Sequence, residues 1–131
     1  MPIDRNMHIL VVDDFSTMRR VVNNLLIELG FTHIDEADDG ETAWPLIQTG
    51  QYDFIVSDLN MPGMSGFELL THIRNDENLR EIPFLLITAE AKRSQFSEAV
   101  RLGVDGYIVK PFTAETLNTQ IQKIFEHAAN R

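Results

Sequence analysis

Asp13 and Asp14, Asp58, Thr88 and Lys110 each follow a short apolar run: His8 to Val12, Phe54 to Ser57, Phe84 to Ile87 and Gly106 to Val109. Runs of this length, bounded by polar residues, read as buried strands. If those strands are parallel, their carboxyl ends share one sheet edge, the crevice where open α/β sheets bind ligands. Three carboxylates, a hydroxyl and an ammonium then converge. Carboxylates crowded together repel unless a cation joins them, and oxygen ligands with no His or Cys beside them select a hard ion such as Mg2+. Mg2+ keeps several waters and leaves room for a phosphoryl group, with the lysine as a second positive charge. Metal plus lysine is the electrostatic clamp that phosphoryl transfer needs, and a carboxylate that attacks phosphorus forms an aspartyl phosphate. Asp58, alone on the central strand, is the best placed nucleophile, with Asp13 and Asp14 as the metal pair. Each residue also has a plainer reading, since Asp-Asp can cap a turn and Lys-Pro is a common loop feature. All five falling at the ends of four strands favours the chemical one.

The elements between these runs must bring them together. Ser16 to Leu29 carries Met18, Val21, Val22, Leu25, Leu26 and Leu29 at helical spacing, stopped by Gly30. Phe31 to Ala37 is a weaker strand, and a helix from about Glu41 to Gln48 contains Pro45, which predicts a kink or a late start. Asn60, Pro62 and Gly63 make a loop, and Ser65 with Glu68 resembles a capping box. A helix follows over about Gly66 to Arg74, with Phe67, Leu70 and Ile73 inward. Further helices are expected over Ala91 to Leu102 and Ala114 to Ala128, the last capped by Thr113. Five strands alternating with five helices call for a parallel sheet covered on both faces, in a single domain over 1–131.

Composition narrows the function. The 131 residues carry 20 Asp and Glu against 11 Lys and Arg, a formal net charge of -9. Phosphate backbones and anionic membranes need a basic face, so neither is an expected ligand. The absence of cysteine excludes disulfides and thiolate chemistry. MPIDRNMH has no apolar core of a signal peptide, and no apolar run approaches a membrane span.

VVDDFSTMRR (Val11 to Arg20), DLNMPGMSG (Asp58 to Gly66), TAEAKR (Thr88 to Arg93) and GYIVKPFTAETL (Gly106 to Leu117) resemble the receiver domains of two-component response regulators. The wording FSTMRR and TAEAK is closest to the single-domain chemotaxis regulators of that family. The resemblance implies a flavodoxin-like, doubly wound (βα)5 fold with strand order 2-1-3-4-5. It implies that Asp58 accepts a phosphoryl group from a CheA-like histidine kinase, and that Asp14, Asp58 and the Asn60 backbone carbonyl ligate Mg2+, with Asp13 acting through a bound water. By the same resemblance Lys110 pairs with the phosphoryl oxygens, the Lys110-Pro111 bond is cis, and Thr88 turns its hydroxyl toward the phosphoryl group. Tyr107 then rotates inward, and Asn60 and Glu90 tune phosphate loss. The protein would be a cytoplasmic monomer, catalysing only its own phosphorylation and dephosphorylation. Its output would run through the α4-β5-α5 face to the flagellar switch protein FliM, with a CheZ-like phosphatase as a further partner. Only Ala129-Asn130-Arg131 follow the last helix, so output is expected through protein contacts.

The chain departs from that pattern in places. Leu59 stands where the family usually has tryptophan, and the only tryptophan, Trp44, is read as packing, so Mg2+ should barely quench fluorescence. On the output face, Gln120 replaces a lysine and Phe96 a smaller aliphatic residue. His8, His33, His72 and His127 read as scattered structural or surface residues. A phosphate sink, or a regulator of a non-flagellar target, that never touches the motor is one rival. A phosphohydrolase is another, but it needs an acid/base carboxylate where Asn60 stands. A flavodoxin-like cofactor carrier lacks its phosphate loop, because Asp13-Asp14-Phe15 would repel an anion.

Overall fold

The structure is a computed structural model that describes residues 3–129; Met1-Pro2 and the expected tail residues Asn130-Arg131 lie outside the described residues. The elements alternate as β1 (His8–Val12), α1 (Ser16–Glu28), β2 (His33–Ala37), α2 (Gly40–Gln48), β3 (Phe54–Asp58), α3 (Gly66–Arg74), β4 (Phe84–Thr88), α4 (Arg93–Arg101), β5 (Gly106–Val109) and α5 (Ala114–Ala129). All neighbouring strands pair in parallel, in the order β2-β1-β3-β4-β5. Strand residues alternate between two apolar layers. Leu10, Val12, Ile55 and Leu86 pack under α2 and α3 together with Ala99 of α4. Ile9, Val11, Val56, Leu85 and Ile87 pack under α1 and α5 with Val22, Leu26, Leu117 and Ile121. β3 and β4 are buried throughout, whereas edge strand β2 exposes His33, Asp35 and Glu36.

The ends of α1 explain why β2 starts late. Gly30 takes a positive φ of 101°, and its N–H donates to the Ile27 carbonyl while Phe31 N–H donates to the Leu26 carbonyl. This is a Schellman closure. The Phe31 amide is thereby committed to the helix, so the ladder begins at His33 rather than at the expected Phe31. Along α1 the expected apolar face is narrower than its spacing suggested. Val22 and Leu26 are buried, Met18, Leu25 and Leu29 half-buried, and Val21 exposed. One residue turns the helix by about 100°, which carries Val21 past the flank of the stripe centred on Val22 and Leu26.

Pro45 neither delays nor ends α2. Asp39 caps the helix by accepting from Thr42 N–H at 2.7 Å, so it begins at Gly40, one residue before expectation. Pro45 falls in the second turn, where it merely lacks the N–H that would reach the Glu41 carbonyl. α3 buries Leu69 as well as Leu70 and Ile73, while Phe67 is half-buried. α4 begins at Arg93, two residues later than expected, with Lys92 as an N-cap in extended conformation. The last helix is capped as expected, Thr116 N–H donating to Thr113 Oγ1 at 3.1 Å.

Far from the carboxyl edge, Arg74 closes the opposite end. Its guanidinium donates to the carbonyls of Arg80, Ile82 and Gly103 and pairs with Asp105 at 2.7 Å. Asp105 also accepts Phe84 N–H at 2.8 Å, which fixes the entry of β4. Among the described residues no helix is long and apolar enough to cross a membrane.

Candidate functional site

The carboxyl edge gathers the expected acids. Asp13 follows β1, and each of its polar atoms has a partner. Its N–H donates to the Ala37 carbonyl at 3.1 Å, and its carbonyl accepts from Arg19 Nη1 at 2.6 Å. Its Oδ1 accepts Phe15 N–H at 2.9 Å, and its Oδ2 lies 3.4 Å from Lys110 Nζ. Asp14 is exposed. Asp58 ends β3, buried, with its Oδ1 3.1 Å from Lys110 Nζ. One carboxylate oxygen from each of Asp13, Asp14 and Asp58 lies within 4.8 Å of the others.

Electrostatics marks Asp58 as the strained member. Burial pushes its pKa up, the negative charge of Asp13 adds to this, and Lys110 opposes both. A single ammonium, shared between Asp13 and Asp58, leaves the three-acid cluster short of positive charge. An all-oxygen donor set of this compactness could hold a hard divalent cation.

α3 approaches this edge closely because its first residue is glycine. Gly66 N–H donates to the Leu59 carbonyl at 2.9 Å. A Cβ at position 66 would collide with the Asp58 carbonyl oxygen and sit 3.0 Å from Leu59 Cα. Ser65 caps the helix, accepting Glu68 N–H at 3.2 Å.

Beside the acids, Thr88 ends β4 fully buried, and its hydroxyl accepts Glu90 N–H at 3.2 Å. Tyr107 on β5 is half-buried, with its hydroxyl 3.5 Å from the Glu90 carbonyl. Its ring meets Phe96 of α4 edge to face, centroids 5.3 Å apart. These two rings, with Ala91, Lys92, Arg93 and Val109, line a shallow cleft of about 290 Å3. Asn60 and Glu90 are exposed, the latter paired with Lys92 at 2.7 Å, and Gln120 is half-buried on α5. The Lys110-Pro111 bond is cis, as expected.

Several relationships escaped sequence reasoning. Arg19 grips the Asp13 carbonyl from α1; its place in FSTMRR, six residues on, was the only signal. The histidines are not all scattered. His8 and His33 are register partners on β1 and β2 with rings stacked 4.8 Å apart, and His72 stacks on Trp44 at 5.2 Å. Trp44 packs against the core under α2, in keeping with a packing role.

Comparison with known proteins follows the same line. The model of the response regulator receiver domain matches residues 9–122. The chain is 60% identical over 124 residues to chemotaxis protein CheY-3 of Vibrio cholerae serotype O1, covering 95% of each chain. It is 59% identical over 120 residues to chemotaxis protein CheY of Pseudomonas aeruginosa, covering 92% of this chain and 97% of that one. Among solved structures it resembles chemotaxis protein CheY4 of Vibrio cholerae, with a TM-score of 0.83 and 34% identity over 91% of this chain and 98% of that one. With the fold, the acidic edge and these relatives in agreement, the chain belongs to the response regulator receiver domain family, in its CheY-like branch.

Proposed function

We propose that this receiver domain, spanning residues 1–131, is a Mg2+-dependent phosphoacceptor switch for chemotaxis in the cytoplasm, and that Asp58 carries the phosphoryl group. The observation that supports it most is the compact set of Asp13, Asp14 and Asp58 oxygens beside Lys110. Asp14, Asp58 and the Asn60 carbonyl would hold Mg2+, with Asp13 in support. When bound, that ion supplies charge neutralisation for the transferring phosphoryl oxygens.

The chain's own residues do the rest. An Asp58 carboxylate oxygen attacks phosphorus, the P–N bond of a kinase phosphohistidine breaks, and the imidazole leaves with the electron pair. Lys110 holds the phosphoryl oxygens. Asn60 cannot act as an acid/base, so the acyl phosphate is hydrolysed slowly rather than turned over, and Asn60 and Glu90 set its lifetime.

Phosphorylation adds about -1.5 to -2 charge and three acceptor oxygens. Thr88 exchanges its bond from Glu90 N–H for one to the phosphoryl group, and Tyr107 turns into the space left. The α4-β5-α5 face, with Phe96 and Gln120, then favours its binding state. Its target is FliM, and a CheZ-like phosphatase resets it. A second reading, a phosphate sink without motor output, is favoured by Gln120 and Phe96 at that face.

Phosphotransfer from a CheA-type kinase tests the chemistry: label should reach the wild type in Mg2+ and be absent from Asp58→Asn. Equal labelling of both would overturn it. A FliM peptide should bind the beryllofluoride form more tightly than the free form, and equal, negligible binding to both identifies the sink.

A further inference from the structure

Arg19 touches no carboxylate of the acidic edge, yet it holds the peptide that carries two of them. Its Nη1 donates to the Asp13 carbonyl at 2.6 Å, and its Nε donates to Glu36 Oε1 at 2.9 Å. The other Glu36 oxygen accepts from Asn23 Nδ2 at 2.8 Å. Glu36 stands on β2 opposite Val11, and the next residue, Ala37, accepts Asp13 N–H through its carbonyl. Both sides of Asp13 are therefore tied to β2, one directly and one through the guanidinium. A planar fork of donors can satisfy a carboxylate and a carbonyl together, which a lysine ammonium does less well.

The Asp13 carbonyl belongs to the peptide bond that leads into Asp14. Asp14 is exposed, and among the described residues no hydrogen bond or ion pair holds its side chain. Its backbone therefore sets the direction of the Cα–Cβ bond from which the carboxylate swings among its rotamers, with no side-chain contact to override it. We infer that Arg19, braced by Glu36 and Asn23, is a positioning residue that fixes the Asp13–Asp14 peptide and so aims the Asp14 carboxylate at the cation site. This rests on the proposed cation site at Asp13, Asp14 and Asp58.

The sign of the effect separates this role from simple electrostatics. A positive guanidinium near a cation site repels the cation, so deleting it should tighten Mg2+ through the field alone. Deleting a positioning group should weaken it, and loss of an outer partner costs about 10-fold to 100-fold in metal affinity.

The experiment uses Arg19→Ala and Arg19→Lys in the full chain. Mg2+ affinity of the unphosphorylated protein is measured by calorimetry, and amide exchange of the metal-free protein by NMR. Mg2+ binding should weaken about tenfold in Arg19→Ala, and less in Arg19→Lys. The Asp13 and Phe15 amides should exchange faster in both, while Leu10 and Leu26 keep wild-type protection. Unchanged or tighter Mg2+ binding in Arg19→Ala overturns the inference, as do wild-type exchange rates at Asp13 and Phe15. If Arg19→Ala does not fold, Arg19→Lys alone decides by the same two readings. Should the wild type bind no Mg2+, the proposed function falls, and the exchange rates still judge the clamp.

Discussion

Lys110 Nζ stands 3.1 Å from Asp58 Oδ1 and serves Asp13 at 3.4 Å as well. One ammonium divided between two buried acids leaves each under-compensated, and burial with Asp13 holds the Asp58 pKa above its ordinary value of 3.8. A carboxyl with a raised folded pKa binds its proton better in the native state. Its ionisation therefore removes stability as pH rises from the unfolded value through the folded one. Asp58→Asn should raise the metal-free melting temperature at pH 7 by a few degrees. The advantage should vanish below about pH 3.8, where both forms carry a neutral group. Thermal melts in chelator across that range check it. With Mg2+ at about ten times its dissociation constant, the wild type should regain roughly 1.4 kcal/mol that Asp58→Asn does not.

Gly66→Ala places a methyl group against the Asp58 carbonyl and Leu59 Cα. Both obstacles are backbone, so α3 or the end of β3 must move. The expected cost is about 1–3 kcal/mol, accompanied by weaker Mg2+ binding because Asp58 moves with its carbonyl. Urea denaturation and calorimetry read the two effects separately.

Arg74→Ala should be among the most destabilising single changes. It strips the Gly103, Ile82 and Arg80 carbonyls of a donor and takes the guanidinium from Asp105, which keeps its bond from Phe84 N–H. The pair is only partly buried, so the cost should fall below the roughly 3–5 kcal/mol of breaking a fully buried one. The measurement is the urea midpoint, with labelling of Asp58 per folded molecule expected to be unchanged.

Tyr52 donates its hydroxyl to Asp35 Oδ2 at 2.7 Å. Burial, then this bond, pushes its pKa up to about 12 from the ordinary 10.0. The stability it contributes is present below pH 10 and is lost as pH rises through about 12. Tyr52→Phe should cost about 1 kcal/mol at pH 7, measured by urea denaturation. In a Tyr107→Phe background the phenolate absorbance should rise in one step near pH 12.

The carboxyl-edge site was legible because a parallel sheet converts position along the chain into position in space. Lys110 and Asp13 lie 97 residues apart, yet each simply ends an apolar run, and strand ends need no rotamer to be placed. Arg19 and Arg74 were illegible for the opposite reason. Both act through long side chains on carbonyls, whose direction depends on how a helix seats against a loop. The start of β2 failed at Phe31 because an apolar residue there serves the close of α1 before the sheet. The start of α4 failed because Lys92, not an earlier residue, accepts the first helical bond through its carbonyl, from Phe96 N–H at 3.1 Å.

The two flanks of Asp58 are built to unequal stiffness. On the β1 side Asp13 is fastened at every polar atom, whereas on the β4 and β5 side the hydroxyls of Thr88 and Tyr107 have one bond each, at 3.2 Å and 3.5 Å. A disturbance at the middle strand meets a wall on one hand and a hinge on the other. Under the proposed function, news of the acid's chemical state would pass more readily toward α4 and α5 than toward β1, and a partner docked on the β1 side would learn less of it.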